Sequence, residues 1–155
     1  MIRLFRIART ANIDDLTGEG ARLYGGRWNQ KGVAALYTSE SRALAAMEFL
    51  VHLSPVLAPP DLSLREFELP DDVSSLDVLV TTLLPYWKTS PPLDTTMDIG
   101  TEWLQANSSL LLRVPSVIVD RESNVLINPN HPEFKRVKAL PPQPFRFDAR
   151  LPKLR

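Results

Sequence analysis

Hydrophobic positions in this chain fall in short runs, which polar or proline-containing segments separate. Short apolar or alternating runs bounded by turn residues are typical of β-strands. They predict strands at residues 2–8, 33–38, 63–69, 110–114, 117–119, 125–127 and 145–147. The chain also has 14 prolines, against a usual share of about one residue in twenty, which favours many short strands joined by loops.

Two segments have the pattern of helices, residues 40–52 and 96–106. For the first of them, Ser39 is a suitable N-cap and Glu40 is favourably placed in the first turn. Between positions 43 and 51 every residue except Glu48 is apolar, so this helix is predicted to be buried on all sides. We expect it to end at the prolines that follow, Pro55, Pro59 and Pro60.

Length and composition describe an ordinary globular protein. With 155 residues, 44% hydrophobic and 23% charged, the chain is expected to form a single α+β domain over residues 1–155 that buries about two thirds of its unfolded surface. It has no cysteine, which excludes disulfides and thiolate metal sites. No signal peptide and no membrane-spanning stretch is found in the sequence, so we expect a cytoplasmic protein.

The net charge is zero, but the charged residues are unevenly distributed. Residues 1–31 carry six basic and three acidic side chains, residues 57–102 carry two basic and nine acidic, and residues 135–155 carry seven basic and one acidic. A solvated surface explains such blocks most simply, and the alternative is a basic cleft that attracts an anionic ligand or an acidic partner. Direct binding to nucleic acid is disfavoured, because no aromatic platform or helix-turn-helix pattern accompanies the basic residues.

The stretch from Gly25 to Asn29 combines residue types that a solvated loop seldom needs. Gly25 and Gly26 allow the backbone to approach another group closely. Arg27 can offer a fork of donors to a phosphate, and Trp28 can form a pocket wall or anchor the loop in the core. The stretch therefore indicates either a ligand site or a tight turn with an anchoring tryptophan and a surface arginine.

Three further residues are candidates for chemistry. Tyr37 ends a predicted buried strand just before a helix N-terminus, where pockets are common, although a tyrosine at the edge of the core fits equally well. Glu48 gives the strongest single signal, because buried glutamates are uncommon and are either functional or paired, here with Arg27 as a candidate partner. Ser116 lies in an apolar stretch where the strand predicted at residues 110–114 is continued at 117–119. Taken alone, it is better explained as a small residue tolerated in a sheet.

Other chemistries find little support in the sequence. His52 and His131 lack the spacing of metal ligands, and no metal site is expected. The sequence contains no Gly-x-Ser-x-Gly motif, no phosphate-binding P-loop and no paired carboxylates of a retaining glycosidase. A single buried carboxylate, that of Glu48, remains.

Three stretches together resemble the RES-domain proteins: residues 19–29, 37–40 and 45–48. The domain is named after Arg, Glu and Ser residues, which correspond here to Arg27, Glu48 and Ser116. Shorter matches extend the resemblance over nearly the whole chain, at residues 99–104, 113–116, 128–132 and 147–151. It is weakest at residues 58–96, where nothing distinctive matches.

The resemblance implies an ADP-ribosyltransferase-like fold, with a split, mostly antiparallel sheet and helices around an NAD cleft. RES proteins are toxins of bacterial toxin–antitoxin pairs that degrade NAD by hydrolysis or phosphorolysis, and some modify a protein with ADP-ribose. Their partner is an Xre-type helix-turn-helix antitoxin, which itself binds DNA and covers the cleft. We therefore expect NAD as a substrate rather than as a bound cofactor, and a homodimer of the toxin within the complex is left open.

The same resemblance assigns roles to the candidate residues. Those expected to bind NAD are Gly26, Arg27, Trp28, Tyr37 and Ser116. Arg27 would bind the pyrophosphate, and Tyr37 would pack on the nicotinamide or the ribose. Glu48 would stabilise the ribosyl cation that forms as nicotinamide leaves, and Ser116 would position the ribose or the carboxylate. Because nicotinamide leaves as a neutral molecule, no strong general acid is required.

A toxin that consumes NAD is the interpretation that these features favour. Transfer of ADP-ribose to a specific protein is the alternative within the same chemistry. A non-catalytic domain whose cleft only docks a partner is the alternative outside the enzymes. The sequence leaves open whether water, phosphate or a protein accepts the ADP-ribose.

Overall fold

A computed structural model describes residues 1–53 and 61–151 of the chain. The strands in this part are β1 (Ile2–Arg9), β2 (Leu36–Ser39), β3 (Leu62–Leu69), β4 (Ser75–Asp77), β5 (Leu111–Pro115), β6 (Ser123–Ile127), β7 (Lys138–Ala139) and β8 (Gln143–Phe145). The α-helices are α1 (Glu19–Tyr24), α2 (Arg42–Val51) and α3 (Asp94–Ala106), and 3₁₀ helices cover Val80–Thr82 and Pro132–Arg136. Within the described ranges, no helix is long and apolar enough to cross a membrane.

The strands form one sheet in the order β4-β5-β6-β2-β1-β3-β7, with β8 also paired to β3. Every pair is antiparallel except β4 with β5. Strands β1 and β3 are in register over their full length, whereas β1 and β2 share the single pair Phe5↔Ser39. The sheet is therefore nearly divided between β1 and β2. The predicted α+β class with a split, mostly antiparallel sheet is confirmed.

Successive side chains along a strand point to opposite faces of the sheet, so the core is divided between these two faces. Leu111 packs in a cluster with Leu4 on one face. Its neighbour Leu112 packs with Trp28 and Trp103 on the other face. Helix α3, which carries Trp103, therefore covers the β5–β6 half of this second face.

Helix α2 covers the other half of the same face. Its Ala45 packs with Phe5 of β1 and Leu64 of β3. Phe5 follows Leu4 in the strand and so points to the opposite side. Since α2 and α3 each cover one half of this face, the space between them lies over the division between β1 and β2.

Most of the predicted strands are confirmed, with small differences at their ends. The structure contains the strands predicted at residues 2–8, 63–69, 110–114 and 125–127. The strand predicted from residue 33 begins only at Leu36, and the one predicted at 145–147 is replaced by β8, which ends at Phe145. Helix α1 and the short strands β4 and β7 were not predicted, because they are too short to show a periodic pattern.

The strand predicted at residues 117–119 is wrong. The hydroxyl oxygen of Ser116 accepts hydrogen bonds from the backbone N–H groups of Ile118 and Val119, each at 3.1 Å. Such side-chain bonds compete with a sheet ladder and turn the chain away from it. Ser116 therefore follows β5 instead of lying within a strand.

Two predictions for α2 are also wrong. Its N-cap is Ser41 and not Ser39, because the Ser41 side chain accepts the backbone N–H of Leu44 at 3.0 Å. The helix is buried only at Leu44 and Ala45, and Met47 is 40% exposed. One side of α2 packs on the sheet, whereas its other sides border a cavity and solvent. The prolines predicted to end the helix lie outside the described residues.

Candidate functional site

A cavity of about 1100 Å³ lies between α2, α3 and the loops above the division between β1 and β2. The predicted site residues that line it are Gly26, Arg27, Trp28, Tyr37 and Glu48. The remaining predicted residue, Ser116, contacts Glu48 from behind the cavity wall. The fold therefore brings all of these residues together at one place.

The loop that carries Arg27 is held by Asn29. Gly26 and Asn29 close the loop, because the backbone N–H of each donates to the carbonyl oxygen of the other, at 3.0 and 3.4 Å. The side chain of Asn29 is fully buried, and its Nδ2 donates to the carbonyl oxygens of Ala21 and Val33 at 2.8 and 3.0 Å. These bonds tie the loop to α1 and to the segment before β2, which fixes its position beside the cavity.

Tyr37 extends from β2 towards this loop. Its hydroxyl donates to Asn29 Oδ1 at 2.6 Å and accepts the backbone N–H of Trp28 at 3.2 Å. A Cβ at Gly26 would lie 2.6 Å from the Tyr37 hydroxyl, so a larger residue would displace the tyrosine. Burial raises the pKa of Tyr37 well above its ordinary value. The phenol is therefore neutral, and it forms part of the wall of the cavity.

Trp28 anchors the loop in the core. It is 3% exposed, and its ring centre lies 6.1 Å from that of Trp87. Its backbone lies directly against α3 at Gly100, where a Cβ would be 1.7 Å from the Trp28 carbonyl oxygen. Glycine is unfavourable inside a helix, and this close approach explains its presence in α3.

Arg27 lies in the cavity wall and is half-buried. Its Nη1 donates to the carbonyl oxygens of Trp87 and Thr89, both at 2.9 Å, which ties the loop of residues 83–92 to the site. Burial lowers the pKa of Arg27, and the negative charge of Glu48 partly opposes this effect. The other guanidinium nitrogens donate to no residue in the described part of the chain, so they are available to an anion.

Glu48 extends from α2 into the cavity. Its Oε1 accepts hydrogen bonds from Asn124 Nδ2 at 2.6 Å and from Ser116 Oγ at 3.1 Å. Among residues 1–53 and 61–151, no cation lies within ion-pair distance of Glu48. Arg27, the candidate partner of Glu48 in the sequence, therefore forms no direct salt bridge with it. The carboxylate is held by neutral donors.

Ser116 supports Glu48 from outside the cavity. The residue is 3% exposed, and its hydroxyl oxygen accepts the backbone N–H groups of Ile118 and Val119, which follow the end of β5. Its hydroxyl proton is directed at Glu48. Of the two roles that the resemblance implies for Ser116, this position favours positioning of the carboxylate over positioning of the ribose.

Asn124 of β6 is a site residue that the sequence did not indicate. It faces Ser39 across the β2–β6 pair, and the Ser39 hydroxyl donates to Asn124 Oδ1 at 2.7 Å. The sequence suggested Ser39 as a helix cap and as part of the resemblance at residues 37–40, but not as a partner of Asn124. Because the register of β2 and β6 brings together residues far apart in the chain, no local pattern could have indicated this contact.

The charges around the cavity are unbalanced. In the described lining, the four basic side chains of Arg6, Arg27, Lys31 and Lys88 surround a single acidic one, that of Glu48. A cleft with this charge distribution attracts anions. The arrangement suits an anionic ligand that also places a positively charged group beside the carboxylate.

Sequence comparisons identify the family. The RES domain family model matches residues 3–148. The Prs ADP-ribosylating toxin of Sphingobium sp. (strain YBL2) is 43% identical over 151 residues, which cover 96% of this chain and 94% of that protein. Toxin Res of Yersinia enterocolitica is 44% identical over 137 residues, which cover 87% of this chain and 89% of that protein.

A structural comparison agrees with the sequence relationship. A chain of the MbcT–MbcA toxin–antitoxin complex of M. tuberculosis is similar with a TM-score of 0.77, over 92% of this chain and 83% of that chain. At 16% identity, this similarity establishes only the fold. The domain match and the two sequence relatives establish the family as well. In agreement with the resemblance of its motifs, the chain belongs to the RES-domain family of toxins.

Proposed function

We propose that this protein is the toxin of a toxin–antitoxin pair and that it cleaves the bond between nicotinamide and ribose in NAD. The observation that carries the proposal is the environment of Glu48. Its carboxylate has no cationic partner among the described residues, and neutral donors hold it in a cavity whose other charges are basic. NAD, with an anionic pyrophosphate and a cationic nicotinamide ring, complements both kinds of charge.

The cavity has the size and the donors that a dinucleotide requires. Its volume of about 1100 Å³ exceeds the usual range for small-molecule pockets, about 300–1,000 Å³. The unused guanidinium nitrogens of Arg27 would donate charge-assisted hydrogen bonds to the pyrophosphate, with Lys31 and Lys88 nearby. The ring of Tyr37 would pack against the nicotinamide or the ribose.

The proposed reaction begins with cleavage of the bond between ribose C1′ and the nicotinamide nitrogen. The electron pair of this bond leaves with nicotinamide, which becomes neutral and needs no proton. The ribose becomes an oxocarbenium cation, which the carboxylate of Glu48 stabilises because it is held in place before the charge develops. A nucleophile then forms a bond to C1′, and water acting in this role releases a proton to the solvent.

Transfer of ADP-ribose to a protein is the second candidate function. It is favoured by one observation, the 43% identity to a protein named Prs ADP-ribosylating toxin. The cleavage step would be the same in both cases, and only the nucleophile that attacks C1′ would differ. The roles proposed for Arg27, Tyr37 and Glu48 therefore apply to either function.

An antitoxin that covers the cavity is the proposed partner. The structural relative comes from a toxin–antitoxin complex, which supports a partner of this kind. The basic lining favours a covering segment that is acidic or ends in a carboxylate. An Xre-type antitoxin is a further part of the proposal, and the sequence of the partner that copurifies with this chain would test it. A homodimer of this chain within the complex is another part, and the mass of the purified complex would test it.

The reaction can be tested by incubating the purified protein with NAD, with and without inorganic phosphate, and measuring free nicotinamide. Release without an added protein supports hydrolysis, and a faster release with phosphate supports phosphorolysis. Release only after addition of cell lysate supports transfer to a protein. No release under any condition, together with no binding of NAD, would refute the proposal and leave the cavity as a docking surface.

A further inference from the structure

Asn124 forms the shorter of the two hydrogen bonds to Glu48. Its Nδ2 lies 2.6 Å from Glu48 Oε1, compared with 3.1 Å for Ser116 Oγ. Hydrogen bonds to an ionised acceptor are shorter and stronger than those between neutral groups. Both donors therefore restrain the carboxylate, and Asn124 does so at the shorter distance.

The orientation of the Asn124 amide is determined by its neighbours. A carboxylate can only accept hydrogen bonds, so the NH₂ group must face Glu48. The amide oxygen then faces β2, where the Ser39 hydroxyl donates to it at 2.7 Å. Ser39 and Asn124 are registered partners, so the strand pairing itself holds the two side chains together. The amide cannot rotate without losing both hydrogen bonds.

The two donors to Glu48 converge on the same oxygen. Oε1 accepts from both Asn124 and Ser116, whereas Oε2 accepts from no residue in the described part of the chain. A glutamate side chain has several rotatable bonds and would otherwise sample many rotamers in an open cavity. Fixing Oε1 leaves Oε2 as the oxygen that is free to face a ligand.

We propose that Asn124 is a positioning residue for the cleavage of NAD, which holds Oε1 of Glu48 so that Oε2 faces the ribosyl cation. This role rests on the proposed function, because it requires that Glu48 stabilises that cation. Asn124 acts through the carboxylate, so its loss should raise the reaction barrier without weakening the binding of NAD.

Asn124→Ala removes both hydrogen bonds of the amide. We expect kcat for nicotinamide release to fall about tenfold to a hundredfold, the range for one hydrogen bond to a charged group. KM for NAD should change by less than about twofold. Ser123→Ala is the matched control, because Ser123 is adjacent in β6 but points to the other face of the sheet. The control should keep the kcat of the unmodified protein. Unchanged kcat in Asn124→Ala would overturn the inference.

A double variant separates positioning from direct contact with NAD. If Asn124 acts only through the charge of Glu48, adding Asn124→Ala to Glu48→Gln should leave the residual kcat unchanged. A further tenfold fall in the double variant would overturn the positioning role, because Asn124 would then act independently of the carboxylate.

Ser39→Ala provides a second test that holds even if Asn124→Ala does not fold. This variant removes the hydrogen bond to Asn124 Oδ1 and so leaves the amide less restrained. We expect kcat to fall less than in Asn124→Ala, with KM unchanged. Unchanged kcat in this variant would count against the inference. Nicotinamide release that is normal in Glu48→Gln would instead refute the role of Glu48, on which this inference rests, and the absence of release by the unmodified protein would refute the proposed function. If Glu48→Gln loses nicotinamide release while Asn124→Ala keeps a normal kcat, only the role of Asn124 is overturned.

Discussion

Replacing Glu48 with glutamine removes the negative charge of the site and changes little else. The amide oxygen of glutamine can accept the same hydrogen bonds from Asn124 and Ser116 that Oε1 accepts now. The new NH₂ group would take the place of Oε2 on the cavity side. Any difference between the two proteins therefore reports on the charge.

The free energy of unfolding should change little. Each of the two hydrogen bonds weakens when its acceptor loses its charge, from about 1.5–3 to about 0.5–1.5 kcal/mol. The cost of removing a carboxylate from water disappears in the variant, and this opposing term is of similar size, about 1–3 kcal/mol. We therefore expect the variant to be as stable as the unmodified protein, to within about 1 kcal/mol.

Turnover of NAD should fall about 10² to 10³-fold, as on loss of one preorganised electrostatic group. This corresponds to about 2.7–4 kcal/mol of transition-state stabilisation. Affinity for NAD should change little, because the ribosyl cation develops only near the transition state.

Nicotinamide release and thermal unfolding should be measured on the same purified sample. Glu40→Gln is a suitable control, because Glu40 is an exposed carboxylate that pairs with Arg113 and does not line the described cavity. Its turnover should be normal. A Glu48→Gln protein that unfolds at a much lower temperature but keeps near-normal turnover per folded molecule would refute the catalytic role. Glu48 would then be a structural residue.

The loop that carries Arg27 and the charges around the cavity give three further predictions. Arg27→Ala should weaken NAD binding by about 1.5–3 kcal/mol, the range for charge-assisted hydrogen bonds; unchanged affinity of a folded variant in calorimetric titration would remove Arg27 from the site. Gly100→Ala should destabilise the fold by about 1–3 kcal/mol or more, because its Cβ would lie 1.7 Å from the Trp28 carbonyl oxygen. Gly20→Ala has open space around the new Cβ and should be at least as stable as the unmodified protein, so equal melting temperatures of these two variants would contradict the packing of α3 on the loop. Association with the antitoxin should slow as the salt concentration rises, and an on-rate that is constant across a salt series would contradict electrostatic steering.

The long strands of the sheet were predictable because each carries its own signal. In β1 and β3, runs of apolar residues are bounded by turn residues, and the observed ends differ little from the predicted ones. The apolar run at residues 117–119 misled the prediction for a physical reason. The hydroxyl of Ser116 binds the backbone N–H groups that a strand would have used, and apolarity alone does not reveal this competition.

The candidate site was predictable only where residue type carried the signal. The charge of Glu48 in an apolar helix and the combination of Arg27 and Trp28 after two glycines could be recognised from the sequence. The contacts that hold these residues join distant parts of the chain. Asn124 lies 76 positions from Glu48 and 85 from Ser39, so its place depends on strand register, which a single sequence does not specify.

The exposed sides of α2 are another feature that the sequence pattern could not predict. A helix with apolar residues all around is usually buried all around, yet Met47 and Val51 are exposed. Periodicity indicates which residues avoid water but not which surface covers them. Here a cavity takes the place of a packing partner on one side of the helix.

The central claim is that NAD binds in this cavity with its nicotinamide ribose beside residue 48. A crystal structure of Glu48→Gln with NAD would measure this directly, because the variant is expected to bind NAD and to cleave it slowly. We predict that C1′ of the nicotinamide ribose contacts the side chain of residue 48 and that Arg27 donates hydrogen bonds to the pyrophosphate. NAD bound outside the cavity, or with its nicotinamide ribose away from residue 48, would contradict the claim.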